Sequence, residues 1–138
     1  MALKAVYLAD KSALSRFTVP TVERRLRPLM EDGLIATCAI IDLEVLYSAR
    51  SLSDYEAVQA ERRAFDDVPL TPDVMARALA IQHALARSGH HRVAIPDLII
   101  AAAAESASLT MLHYDSDFER IANLTGQAQE WVVPRRSL

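Results

Sequence analysis

The chain contains one cysteine, Cys38, among its 138 residues. A single cysteine cannot form an internal disulfide bond, which fits a reducing cytoplasm. The sequence has no apolar run close to the roughly 20 residues that a membrane-spanning helix requires. Its first residues, 1–4, lack a charged segment followed by a long apolar stretch, so we expect no signal peptide. These absences predict a cytoplasmic protein.

Positive charge is also not in excess. Lys and Arg number 15 against 18 Asp and Glu, which gives a net charge of -3. Proteins that bind nucleic acid through their whole surface are usually basic, so the net charge argues against such coating, but not against a nuclease that binds through a local patch. The length, without repeats, low-complexity segments or long linkers, predicts one domain over residues 1–138.

Four acidic residues stand where a predicted strand ends or a predicted helix begins. They lie inside or beside strongly apolar runs, and they are Asp10, Glu44, Asp97 and Asp115. A carboxylate in such surroundings is unfavourable unless something compensates its charge. A hard divalent cation, held by oxygen ligands at one edge of a sheet, explains all four acids at once. Mg²⁺ or Mn²⁺ in such a site supports phosphodiester hydrolysis.

Short apolar strands alternate with helical patterns along the chain. The predicted strands cover residues 3–9, 34–39, 109–113 and 130–133, with a brief strand or extended link at 68–70. The predicted helices cover residues 10–17, 21–32, 40–50, 54–65, 71–88, 96–107 and 116–122. This alternation predicts an α/β fold with a mostly parallel sheet of four to five strands, flanked by helices. Ligands of such sheets bind beyond the carboxyl ends of the strands, where Asp10 and Asp115 are predicted to lie.

In this order, the acidic motifs resemble those of the PIN-domain ribonucleases. More narrowly, they are similar to the VapC toxins of bacterial and archaeal VapBC toxin–antitoxin pairs. The matching stretches are residues 8–14, 44–49, 96–104 and 111–118. No single motif is specific, but all four occur in the order found in the family. The resemblance extends over essentially the whole chain.

The resemblance implies a PIN-like three-layer fold and a metal-dependent endoribonuclease that cuts structured RNA such as tRNA or rRNA. The acids that it assigns to catalysis and to Mg²⁺ or Mn²⁺ are Asp10, Glu44, Asp97 and Asp115. It also implies that Asp117 is a fifth, assisting acid and that Ser12 supplies a hydroxyl near the site. The implied partners are a VapB-type antitoxin that blocks the active site and a second copy of the chain, in a homodimer and a higher assembly.

The chain departs from many members of this family at two positions. Lys11 stands where threonine is frequent, and Tyr114 stands where a basic residue is frequent. Neither departure removes an acid, so both bear on the choice of substrate rather than on activity. The candidates for RNA contact are the basic and hydroxyl residues nearest the acidic motifs, Lys11, Ser12, Arg16, Arg50 and Arg92.

The acids also have ordinary structural interpretations. Asp10 and Asp97 suit helix N-termini, and Asp117 suits a cap of the helix that follows it. Asp42 is our candidate for the cap of the helix that contains Glu44, because Glu44 itself lies among apolar residues. The set as a whole favours a metal site over four separate caps.

Other functions fit the sequence less well. A non-catalytic PIN-like module that binds RNA or protein is the alternative, and the presence of all four acids disfavours it. A receiver domain needs a lysine after a late strand, where this chain has His113 to Asp115. A haloacid-dehalogenase-type phosphatase needs an Asp-x-Asp motif after the first strand, where this chain has Asp10-Lys11-Ser12.

Overall fold

The computed structural model describes residues 3–138. Part of the segment 1–4, on which the prediction about a signal peptide rests, therefore lies outside the described residues. Strands and helices alternate along this part of the chain. In chain order they are β1 (Tyr7–Ala9), α1 (Lys11–Leu14), α2 (Pro20–Glu31), β2 (Ile35–Thr37), α3 (Ala39–Tyr47), α4 (Leu52–Arg62), β3 (Asp66–Asp67), α5 (Pro72–Ala86), α6 (Ile95–Ser106), β4 (Thr110–His113), α7 (Ser116–Thr125) and β5 (Gln129–Trp131). Among residues 3–138, none of these helices has both the length and the apolarity to cross a membrane.

The strands form one sheet of five in the order β3-β2-β1-β4-β5. Every pair of neighbours in it is parallel. The chain builds one half of the sheet from β1 outward and then returns to build the other half on the opposite side of β1. The order therefore reverses between β1 and β4, which is where ligands bind in open α/β sheets.

Two apolar clusters lie on opposite faces of the sheet. Successive side chains of a strand point to opposite faces, so Leu8 and Met111 enter one cluster while Ala9 and Leu112 enter the other. On the first face, residues 101–104 of α6 are four buried alanines, whose small side chains allow the helix to lie close to its neighbours. Helices on both faces of a parallel sheet make three layers, as the sequence predicts.

Most strands are shorter than the apolar runs that predict them. Strand β1 begins at Tyr7 rather than at residue 3, and both Leu3 and Val6 are exposed. Strand β2 ends at Thr37 rather than at residue 39, because Ala39 already belongs to α3. Strand β5 is displaced from the predicted 130–133 to Gln129–Trp131.

Of the two alternatives predicted for residues 68–70, the brief strand is wrong and the extended link is correct. The strand is β3, Asp66–Asp67, which pairs with β2. Pro69 has no backbone N–H to donate to a sheet ladder, so pairing ends before it. Two aspartates carry no apolar alternation, and for this reason the sequence pattern does not reveal the strand.

The prediction that Asp42 caps α3 is also wrong. Cys38 occupies the N-cap position, and Asp42 lies inside the first turn of the helix. There Asp42 Oδ1 accepts hydrogen bonds from Arg62 Nε at 2.9 Å and from the Thr37 hydroxyl at 2.8 Å. Helix α3 ends at Tyr47 rather than near residue 50.

The remaining helices agree with the sequence patterns more closely. Helices α2, α5 and α6 lie within two residues of their predicted bounds. Helix α1 stops at Leu14 rather than at residue 17, and α4 begins at Leu52, where the Ser51 hydroxyl accepts from the Asp54 N–H. Helix α7 continues past residue 122 to Thr125, and Gly126 ends it with a φ of 74°.

Candidate active site

Asp10 lies directly after β1 and is 4% exposed. Its backbone N–H donates to the carbonyl of Leu112 at 2.9 Å, which fixes it against β4. Its Oδ2 accepts from the N–H of Ser12 at 3.0 Å, so Asp10 is the N-cap of α1. The structural interpretation of Asp10 as a cap is therefore correct, and its charge also acts on Asp97 and Glu44.

Asp97, Asp115 and Asp117 converge beyond the carboxyl end of β4. One carboxylate oxygen of each lies within 4.8 Å of those of the other two. Asp115 caps α7 by accepting from the N–H of Asp117 at 2.9 Å, so Asp117 is not the cap of that helix. Asp97 lies in the first turn of α6 and is 6% exposed. Oxygen atoms at this spacing form a cluster that is able to hold a metal ion.

Glu44 of α3 is not one of the three acids within 4.8 Å of one another, but it lies close enough to Asp10 and Asp115 for their charges to act on it. Its buried Oε1 has no hydrogen-bond partner in the described part of the chain. A buried carboxylate oxygen without a partner is unfavourable, and such atoms in native proteins commonly mark an ion or a catalytic role. A cation would satisfy this oxygen, so the residues present fit a metal.

Electrostatics set Asp97 apart from an ordinary carboxylate. The pKa of Asp97 is raised to about 9, and burial is the largest cause, followed by the charge of Asp10. A hydrogen bond with Asp117 and the charge of Asp115 contribute to the same rise. Without a cation, Asp97 therefore favours its protonated form near neutral pH.

Two further acids show the same trend. Burial raises the pKa of Asp10 despite its hydrogen bonds with Ser12, and the charge of Asp115 acts in the same direction. Burial also raises the pKa of Glu44. The charge of Asp10 adds to this rise, and the charge of Lys11 opposes it. The acids thus influence one another across four elements of the fold, and a cation among them would relieve their repulsion.

The predicted substrate-binding residues have different surroundings. Ser12 Oγ accepts from the N–H of Tyr114 at 2.9 Å, which joins the segments that follow β1 and β4. Arg16 donates to the carbonyl of Ser12 at 2.5 Å and lies 4.7 Å from the centre of the Tyr114 ring. Arg16 therefore holds together the segments that carry Ser12 and Tyr114. Lys11 lies near Glu44, whereas Arg50 and Arg92 are exposed in loops.

Two features of this sheet edge are not among the residues that our sequence analysis selects. Arg62 is buried and joins Asp42 to Thr37, a contact that spans 25 residues along the chain and has no local signature. Arg120 Nη1 lies 4.0 Å from Asp117 Oδ1. The three-residue spacing of this second pair within a helix is a signal that sequence inspection can find.

Comparison with known proteins places the chain in a family. Residues 7–124 match the model of the PIN domain. Ribonuclease VapC21 of Mycobacterium tuberculosis strain H37Rv is 54% identical over 129 residues, which cover 92% of this chain and 94% of that protein. Ribonuclease VapC51 of the same strain is 46% identical over 97% of this chain and 96% of that protein. These matches confirm the resemblance that the acidic motifs indicate.

Solved structures agree in fold. The DNA-bound VapBC structure from Salmonella typhimurium superposes with a TM-score of 0.75 at 19% identity and covers 94% of this chain and 99% of that one. FitAcB from Neisseria gonorrhoeae gives a TM-score of 0.70 at 21% identity, over 89% of this chain and 95% of that one. The chain therefore belongs to the PIN domain family, and within that family to the VapC ribonucleases.

Proposed function

We propose that this protein is a metal-dependent endoribonuclease and the toxin of a VapBC-type pair. The proposed substrate is structured RNA such as tRNA or rRNA, and the proposed cofactor is Mg²⁺ or Mn²⁺. The main support is the group of acids at one sheet edge, where the buried Asp97 and the partly exposed Asp115 and Asp117 approach within 4.8 Å and Glu44 has an unsatisfied oxygen. Hard oxygen ligands of this kind suit both cations.

In the proposed mechanism, the acids hold the reacting groups in place. A divalent cation bound there would supply a water of lowered pKa and would stabilise charge on the phosphoryl and leaving oxygens. Asp10, Glu44, Asp97 and Asp115 are the proposed ligands, with Asp117 assisting. The first turns of α6 and α7 begin at this edge, and the partial positive charge of helix N-termini favours a phosphate nearby.

The proposed biological setting follows from the family. Relatives of known structure include VapBC complexes, and we infer that a VapB-type antitoxin binds this chain as well. We also propose a homodimer that joins a larger toxin–antitoxin assembly, a single PIN domain over residues 1–138, and a cytoplasmic location, where RNA and a reduced Cys38 coexist.

The test is cleavage of total cellular RNA by the purified protein in Mg²⁺ or Mn²⁺ and in EDTA. We expect discrete products that require the metal and that disappear with Asp97→Asn. The chain offers a matched control in Asp73→Asn, because Asp73 also follows a proline in the first turn of a helix but is exposed. The control is expected to cut RNA as the parent does.

Two outcomes would contradict the proposal. Normal cleavage by folded Asp97→Asn would remove Asp97 from the catalytic group. Failure of a folded, Mn²⁺-binding parent to cut any RNA would favour the non-catalytic binding module instead.

A further inference from the structure

A groove of about 460 Å³ is lined in part by Ser116, which stands between Asp115 and Asp117 of the acidic cluster. Its walls come from α7, from the loop between α5 and α6, and from the segment after β5. Arg120 belongs to the groove and also lies 4.0 Å from Asp117. The groove therefore opens next to the place where a scissile phosphate would be held.

One wall is a polar face of α7. Ser116, Arg120 and Asn123 are spaced by four and three residues, so their side chains share one side of the helix. At 1.5 Å per residue, this row is about 10 Å long. The Arg120 side chain is 49% exposed, and an exposed ion pair 4.0 Å long contributes little. The guanidinium thus keeps donors available for a ligand.

The other wall carries positive charge as well. That charge is carried by Arg135, and Arg135 Nη1 donates to Glu119 Oε1 at 2.8 Å. The other oxygen of Glu119 accepts from the indole N–H of Trp131 at 2.9 Å. Glu119, the acid that lines the groove, is therefore engaged by two donors, and Arg120 and Arg135 give the lining two basic groups against one acid in a protein whose net charge is -3.

The opposite side of the sheet edge differs in charge. A cavity of about 370 Å³ beyond β2 and β3 is lined by Arg62 and Arg63 but also by Asp42 and Asp67. Arg62 is already paired with Asp42 at 2.9 Å. Because charge is balanced there, a polyanion is favoured on the α7 side.

We propose that the groove along α7 binds the sugar–phosphate backbone of RNA next to the scissile phosphate, with Arg120 contacting a phosphate. This inference rests on the proposed ribonuclease function and adds the path of the substrate. Contacts to phosphate fix the register of a nucleic acid and supply the part of its affinity that depends on salt. Hydroxyl and amide groups, as in Ser116 and Asn123, also donate to phosphate and sugar oxygens.

The experiment measures binding of a fluorescein-labelled single-stranded RNA of mixed sequence, about one dozen nucleotides long, by anisotropy. All proteins carry Asp97→Asn so that the RNA stays intact, and KCl is varied between about 50 and 200 mM. Adding Arg120→Ala is expected to weaken binding roughly 3- to 10-fold and to reduce the slope of log K against log salt by about one. Arg120→Lys keeps the charge and is expected to restore the slope.

The matched control is Arg77→Ala. Arg77 is 44% exposed in its side chain and pairs with Glu105 on α6, away from the groove. Equal effects of Arg120→Ala and Arg77→Ala would overturn the groove while leaving the nuclease proposal intact. A loss seen in Mg²⁺ but absent in EDTA would also overturn it, because Arg120 would then act through the acids. A parent protein that neither cuts nor binds RNA would overturn the proposed function and the groove with it.

Discussion

At the scale of single residues, the acids differ in how the fold supports them. Asp10 and Asp115 each accept a backbone N–H as helix caps, so their charges have local compensation. Asp97 is buried near other carboxylates, and Glu44 has an oxygen without a partner in the described residues. These two residues are consequently the ones most dependent on a cation.

The burial of Asp97 lowers the free energy of unfolding of the metal-free protein by a measurable amount. Its pKa is about 9 in the folded state and about 3.9 in an unfolded chain. Between these values the folded state binds more protons, so stability falls as pH rises from about 4 towards 9. In EDTA at pH 8, Asp97→Asn should therefore raise the free energy of unfolding by roughly 1–3 kcal/mol.

Thermal or urea unfolding in EDTA at pH 5 and at pH 8 checks this. The gain from Asp97→Asn should be larger at pH 8, and the exposed Asp73→Asn should give none at either pH. A variant that is less stable than the parent at pH 8 would contradict the account of Asp97.

Sequence patterns locate these residues better than they explain them. Position beside apolar runs is enough to select Asp10, Glu44, Asp97 and Asp115. It does not show that Asp117 joins Asp97 and Asp115 at close range, because convergence depends on how two helices meet. Of the substrate candidates, Arg16 is engaged with Tyr114, whereas Arg120 is not evident until α7 is placed beside the site.

At the scale of elements, α3 depends on a polar anchor. Arg62, at the end of α4, is 8% exposed in its side chain and contacts both Asp42 of α3 and Thr37 of β2. These contacts fix the helix that carries Glu44 against its neighbours. The partners are 20 and 25 residues from Arg62 in the sequence, so no local pattern predicts these contacts. The prediction that Asp42 is a helix cap is wrong because the contact of Asp42 with Arg62 is not visible in the sequence.

Removing Arg62 should therefore be costly. Arg62→Met leaves Asp42 without its partner in a half-buried position, and we expect a loss of about 2–4 kcal/mol in the free energy of unfolding. Arg77→Met, which breaks an exposed ion pair with Glu105, should lose less than about 1 kcal/mol. Urea unfolding compares the two variants. Similar losses would show that the contacts of Arg62 stabilise the protein no more than an exposed ion pair does.

At the scale of the whole molecule, the proposed metal site joins distant parts of the fold. Its acids come from the end of β1, from α3, from α6 and from the junction of β4 with α7. Binding of a ligand to the folded state alone stabilises the entire structure. The alternation of strands and helices predicts the parallel sheet, but not its strand order, since that depends on long-range pairing of strands as short as β3.

Metal should consequently raise the global stability of the protein. Mn²⁺ at about 100 times its dissociation constant is expected to add about 2.7 kcal/mol relative to EDTA. Glu44→Gln should reduce this gain, because it removes a charged ligand, whereas Glu56→Gln on the exposed face of α4 should not. Thermal unfolding with and without Mn²⁺ measures the difference, and equal gains in all three proteins would exclude Glu44 as a ligand.

The strand order also has a consequence for synthesis of the chain. Strand β1 emerges early from the ribosome, yet one of its two partners is β4, and Ser12 meets Tyr114 across 102 positions of sequence. A nascent chain that ends before residue 97 contains Asp10 and Glu44 but lacks the three aspartates that complete the cluster. If these acids form the site as proposed, we expect a chain that ends before residue 97 to be unable to cut RNA, so the proposed inhibitor is needed only after the last third of the chain has been made.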